Sequence, residues 1–136
     1  MSACLDSWSV LAWLDGEEPA AEVVQRSLDQ GRPVMSWVNL VEVEYLVRRQ
    51  HGSSEAETTL SRVRELVSEE LPGVSRMRLV AALKADHPVA LADCFAIATA
   101  AANGATLITG DPEILDRAEK LPCPVADARV PPAAKS

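Results

Sequence analysis

The residues in this sequence best placed to do chemistry are acids. Most of them stand in polar runs: Glu17, Glu18, Glu55, Glu57, Glu69 and Glu70 read as solvated helix faces. Four others do not: Asp6, Glu42, Asp93 and Asp111. Asp6 closes the short apolar run Ser2 to Leu5, at the position where open α/β sheets carry functional groups. Glu42 has Val38 four residues before it, Tyr45 three after and Leu46 four after. Helical spacing sets all of these on one face, so a carboxylate stands beside the stripe that should meet the core. Glu44, about 200° away around the helix, is the solvent-facing neighbour. Asp93 lies early in a segment that is apolar almost all round, with Leu91, Phe95, Ala96, Ile97, Ala98 and Ala100, the pattern of a buried helix. Asp111 follows the apolar run Ala105 to Ile108 within Thr109-Gly110-Asp111-Pro112.

Each acid has a plainer reading. Asp6 and Asp111 are good helix N-caps, and Asp111 has Pro at the next position. Glu42 could form an ion pair with an arginine at the edge of the core. Asp93 could complement the positive end of its helix. Taken together, the acids fall at two strand ends and on two apolar helix faces of one small chain. Carboxylates clustered in that way repel one another. Divalent cations neutralise them, and oxygen-only ligands select magnesium or manganese over zinc.

The elements that must position them alternate short apolar runs with helical stretches, the pattern of an α/β domain with a mainly parallel sheet. A strand is expected over Ser2 to Leu5, then a helix capped by Ser7 or Ser9 and running to about Leu14. Glu17 to Gln30 reads as a second helix with Val23, Val24 and Leu28 inward and Gly31 as its stop. Pro33 to Ser36 is a second strand, Val38 to about Gln50 a helix stopped near Gly52, and Ser53 opens another helix to about Glu69. Glu70 to Val74 is the expected third strand, broken by Pro72 and Gly73. Helices follow at Ser75 to Ala85 and at Pro88 to Ala102, then a fourth strand at Ala105 to Ile108. A helix from Asp111-Pro112 to about Lys120 and a fifth strand at Pro124 to Ala126 complete the pattern. The expected organisation is a single domain over residues 1–130, with a disordered tail over 131–136.

Composition supports this. A chain of 136 residues with 48 % hydrophobic side chains can bury roughly two-thirds of its unfolded surface without disulfides or structural metal. No apolar run approaches the ~20 residues needed to cross a bilayer. Met1 to Leu14 lacks a basic leader and Asp6 interrupts its apolar run, so no signal peptide is expected. Cys4, Cys94 and Cys123 are an odd count without CxxC spacing, read as reduced thiols in a cytoplasmic protein. A net charge of −7 argues against coating nucleic acid by charge alone, yet suits a site that gathers cations. There is no GxGxxG, no GxxxxGK[ST] and no GxSxG.

The segments Leu5-Asp6-Ser7, Ser36-Trp37-Val38-Asn39-Leu40-Val41-Glu42, Leu91-Ala92-Asp93-Cys94-Phe95-Ala96 and Thr109-Gly110-Asp111-Pro112-Glu113, in that order and spacing, carry a resemblance. The sequence resembles the PIN-domain nucleases, and among them the VapC-type toxins of bacterial toxin–antitoxin pairs, over about Ala3 to Ala126. The resemblance implies a three-layer α/β fold with a five-stranded parallel sheet ordered 3-2-1-4-5. It implies that Asp6, Glu42, Asp93 and Asp111 form an acidic site for Mg2+, with Mn2+ able to substitute. Ser7 and Thr109 match small polar positions that support the site, and Glu113 is an extra acid that could assist. An RNA substrate, a cognate antitoxin protein and a homodimer follow from the same likeness, with no membrane partner. The implied reaction is metal-assisted hydrolysis of an RNA phosphodiester.

Two other readings remain open on the residues alone. One is a small-molecule phosphohydrolase with Asp6 as nucleophile; such enzymes place a second acid two residues on, where this chain has Trp8. The other is a non-catalytic PIN-like module that binds protein. His51, at a helix end beside Gly52, and His87, before Pro88, read as surface or capping residues. Arg62 is expected to pair with Glu65 or Glu69. Trp13 and Trp37 suit packing, while Trp8, two residues from Asp6, could stack a base.

Overall fold

The computed structural model describes residues 2–132. Five short strands form one parallel sheet in the order β3-β2-β1-β4-β5: β1 (Ala3–Leu5), β2 (Val34–Ser36), β3 (Ser68–Glu70), β4 (Thr106–Thr109) and β5 (Val125–Asp127). The helices are α1 (Ser7–Leu14), α2 (Ala20–Gln30), α3 (Trp37–His51), α4 (Ser53–Leu66), α5 (Val74–Asp86), α6 (Leu91–Ala102) and the short α7 (Pro112–Leu115). Strand alternation fixes the layers. Cys4 and Leu107 face a core shared with α5 and α6, while Leu5, Met35 and Ile108 face a core shared with α1 to α4. The sheet is therefore covered on both sides, as an all-parallel sheet must be. The expected three-layer arrangement and strand order are those observed.

Several boundaries differ from the sequence expectation. The third strand is Ser68–Glu70, not Glu70 to Val74, because Val67 ends α4 as a buried residue and the next residues pair at once with β2. Pro72 and Gly73 lie beyond it, in the turn before α5. Glu69 and Glu70 accordingly stand on a strand, where Arg64 and Arg76 pair with them. The second helix starts at Ala20 rather than Glu17, and α6 starts at Leu91, after a non-helical Pro88 to Ala90. The segment after Asp111 is not one helix to Lys120: α7 stops at Leu115 and a separate 3-10 turn spans Ala118–Lys120. On α3 the inward residues are Leu40, Val43 and Val47, so the stripe of Val38, Glu42 and Leu46 lies half-buried at the flank, and Tyr45 is 39 % exposed.

Other expectations fall as follows. Arg62 lies over the Trp13 ring and Arg64 over Trp37, in place of an Arg62 ion pair. Of the expected tail, Pro131 and Pro132 have no regular structure, and 133–136 lie outside the described residues. All three cysteines are free and buried, and burial raises each thiol pKa, so none is an activated nucleophile. Among the described residues no helix is long and apolar enough to cross a membrane.

Candidate functional site

Parallel pairing sets Leu5 of β1 opposite Ile108 of β4. The next residues along each strand, Asp6 and Thr109, meet at the carboxyl edge of the sheet. The Thr109 hydroxyl donates a short hydrogen bond to Asp6 Oδ2 and accepts one from the Asp111 backbone N–H at 3.0 Å. One buried hydroxyl thus joins two acids. Asp6 is 1 % exposed, and its Oδ1 accepts from Ser9 N at 2.9 Å. That bond makes Asp6 the N-cap of α1, the place expected for Ser7 or Ser9. Asp111 Oδ1 likewise accepts from Glu113 N at 3.0 Å and caps α7. The capping reading holds for both acids and is compatible with a site: one oxygen of each starts a helix. Both oxygens of Asp6 are already engaged and buried, which presents it poorly as a covalent nucleophile. Gly110 lets this turn pack under Trp8, since a Cβ there would overlap the indole ring.

Glu42 approaches from α3. Its Oε1 accepts from the Ser7 hydroxyl at 2.8 Å and from Asn39 Nδ2 at 3.1 Å. Both partners are neutral. An arginine pair at this position is not what the fold builds. Asn39 is wholly buried, and its Nδ2 also donates to the Ala92 carbonyl at 3.2 Å, in the first turn of α6. Sequence reasoning passed over Asn39. The available signal was its place three residues before Glu42, on the same helix face.

Asp93 stands on that first turn of α6 and is 8 % exposed. No backbone, hydroxyl or amide donor reaches it among the described residues; its one hydrogen-bond neighbour is another acid, Asp111. Its carboxyl is pushed up to about 7, by burial first and then by the negative charge of Asp111, Asp6 and Glu42. The favourable helix terminus is outweighed here; it contributes only ~0.3–1 kcal/mol at exposed sites. Asp6 is pushed up to about 6 by burial, against the lowering effect of its Thr109 and Ser9 hydrogen bonds, with Asp111 adding to the rise.

Asp6, Glu42 and Asp111 therefore all sit close enough to act on the Asp93 carboxyl. Ligand atoms of Asp93, Asp111 and Glu113 all lie within 4.8 Å of one another. Asp6 and Glu42 stand outside that tightest group and border it through Thr109 and Asn39. Among the described residues, no lysine or arginine pairs with Asp6, Glu42, Asp93 or Asp111; the ion pairs lie elsewhere. Asp6 and Asp93 are buried, Glu42 and Asp111 half-buried and Glu113 exposed, and buried negative charge without a compensating cation is costly. A hard divalent ion bound by oxygens relieves it, and the donor set fits one.

A family model described as PIN domain matches residues 3–121. The chain belongs to the PIN domain family. Solved structures agree on the fold of this PIN domain. It is similar to a chain of VapBC2 from Rickettsia felis bound to a DNA fragment from its promoter, at 14 % identity and TM-score 0.73, over 93 % of this chain and 98 % of that one. It is similar to a chain of VapBC-1 from nontypeable Haemophilus influenzae, at 21 % identity and TM-score 0.70, over 94 % and 98 %. It is also similar to VapC20 of Mycobacterium tuberculosis, described as a sarcin–ricin loop cleaving toxin, at 15 % identity and TM-score 0.70, over 85 % and 94 %. No curated protein matches the chain significantly.

Among the described residues neither histidine of this PIN domain hydrogen-bonds to a site acid. His87 Nδ1 accepts from Arg117 Nε at 3.0 Å, and His51 is exposed at the end of α3.

Proposed function

We propose that this PIN domain is a Mg2+-dependent endoribonuclease that hydrolyses RNA phosphodiester bonds as the toxin of a toxin–antitoxin pair in the cytoplasm. The observation that carries this is a cluster of two buried acids, Asp6 and Asp93, and two half-buried ones, Glu42 and Asp111, with no lysine or arginine paired to it among the described residues. Likeness to VapC and VapBC structures supports the toxin role and an antitoxin partner. The description of VapC20 as a loop-cleaving toxin supports a nuclease.

Asp6, Glu42, Asp93 and Asp111 are the residues proposed to hold the cation, with Glu113 beside them. Ser7 and Thr109 are proposed to hold the carboxylates in place, as the donors to Glu42 and Asp6. A bound divalent ion supplies an activated water and charge stabilisation for the leaving oxygen. The chain supplies the rest. Thr109 and Ser9 hold the Asp6 carboxylate still, so its orientation is set before a ligand arrives. Glu42 Oε1 is filled by two donors, which leaves Oε2 for the cation. Asp93, whose one hydrogen-bond neighbour is another acid, is the acid most dependent on a cation.

The purified chain should cut single-stranded RNA in Mg2+ and stop when EDTA is added, with activity restored by excess Mg2+ or Mn2+. Cleavage unchanged by EDTA would refute metal dependence, and cutting of DNA with RNA left intact would refute the substrate.

Self-association as a homodimer belongs to the same proposal. Val41, Leu71, Val74, Met77 and Leu91 are large apolar side chains exposed on the monomer. Light scattering should give twice the chain mass, and a monomer mass at micromolar concentration would count against the dimer.

A further inference from the structure

Asn39 hydrogen-bonds across the two helices that carry Glu42 and Asp93. It is wholly buried, on the first turn of α3, and a single amide nitrogen serves two acceptors: Glu42 Oε1 at 3.1 Å and the Ala92 carbonyl at 3.2 Å. Ala92 immediately precedes Asp93. Turning the amide over would set its oxygen against a carboxylate and a carbonyl, two acceptors, so its orientation is fixed by its partners. In that orientation Oδ1 is buried with no hydrogen-bond partner. A buried amide oxygen left unpaired is a cost that folds rarely carry without a reason.

We propose that Asn39 is a positioning residue that locks the separation between Glu42 on α3 and Asp93 on α6, and so sets the affinity of the acidic site for a divalent cation. This rests on the metal-centre reading above. The argument is one of geometry. The two acids come from helices with no covalent link near the site, and like charge drives them apart. An N–H bond to each side offsets that repulsion. Asn39 and Ser7 also occupy Glu42 Oε1 together, which commits Oε2 to the cation. Aspartate cannot replace asparagine here, because it donates nothing to either acceptor and adds a charge.

The test is Mn2+ binding, read from the loss of the free-ion paramagnetic resonance signal near neutral pH, beside thermal midpoints in EDTA. The variants are Asn39→Ala and Asn39→Thr. Threonine keeps the volume of asparagine, but its one hydroxyl proton cannot serve both acceptors. Each variant should bind Mn2+ ~10–100-fold more weakly than the parent, the range seen when groups that orient metal ligands are removed. In a Glu42→Gln background the further change on Asn39→Thr should shrink to within ~3-fold, since residues acting through one another are not additive. Folded Asn39 variants binding as the parent does, or effects that simply add in the Glu42→Gln background, would overturn the coupling while leaving the metal centre intact. A parent chain that takes up no Mn2+ would overturn both readings.

Discussion

Asp93→Asn should lose RNA cleavage and gain stability in the same protein. Loss of a ligand should lower the rate by at least ~100-fold, since removing even the groups that orient ligands costs 10–100-fold. The gain follows from the surroundings. Asp93 is buried, its one hydrogen-bond neighbour is the acid Asp111, and Asp6 and Glu42 add further negative charge. Asparagine removes the charge, and its amide can still donate to Asp111, the acid that Asp93 meets by hydrogen bond. In EDTA the thermal midpoint should rise by ~3–5 °C, the shift that about 1 kcal/mol gives a domain of this size. Asp6→Asn should be equally inactive with a smaller gain, because the Thr109 hydroxyl then faces an amide where it had a carboxylate acceptor. In Mg2+ the order should reverse, with the parent stabilised by ligand and the variants not. An active Asp93→Asn would refute its place in the site. An inactive variant that melts lower in EDTA would refute the repulsion argument alone.

The legible part of the site was the part written into regular elements. An apolar strand followed closely by an acid marks a carboxyl edge, and Asp6 and Asp111 follow the neighbouring strands β1 and β4 there. An acid early in a wholly apolar helix marks Asp93, because every face of that helix is covered. Glu42 was legible as a misplaced charge, although the face it occupies is the flank of α3 and the core face is Leu40, Val43 and Val47. What escaped was set by tertiary contacts. β3 is Ser68-Glu69-Glu70, a polar edge strand without the period-two apolar signal; backbone pairing with β2 and two arginines hold it. Asn39 resembles any polar residue at a helix start until α6 is seen packed across it. Asp6 as N-cap was readable, but choosing it over Ser7 and Ser9 required knowing where β1 stops.

Divalent metal affinity should climb steeply with pH, while the metal-free protein loses stability over the same interval. Burial holds Asp6 up at about 6, and burial with neighbouring acids holds Asp93 up at about 7, above their ordinary 3.8. In the unfolded chain both acids ionise near 3.8, so between that pH and about 7 the folded state binds more protons than the unfolded one. Stability from these groups is therefore full below the unfolded value, declines as pH rises through the folded values, and levels off above them. A cation needs both acids ionised, so it must displace their protons at low pH. With acids at about 6 and about 7, apparent affinity should increase ~100-fold between about pH 5.5 and about pH 7.5. Asp93→Asn removes the larger contribution and should flatten the Mn2+ titration to the shallower dependence of Asp6. Calorimetric titration with Mn2+ across that interval, with melting curves in EDTA at each pH, measures both trends. Affinity independent of pH would mean that these carboxylates do not hold the ion. A metal-free midpoint that rises toward neutral pH would mean that their burial does not raise their pKa values in the folded chain.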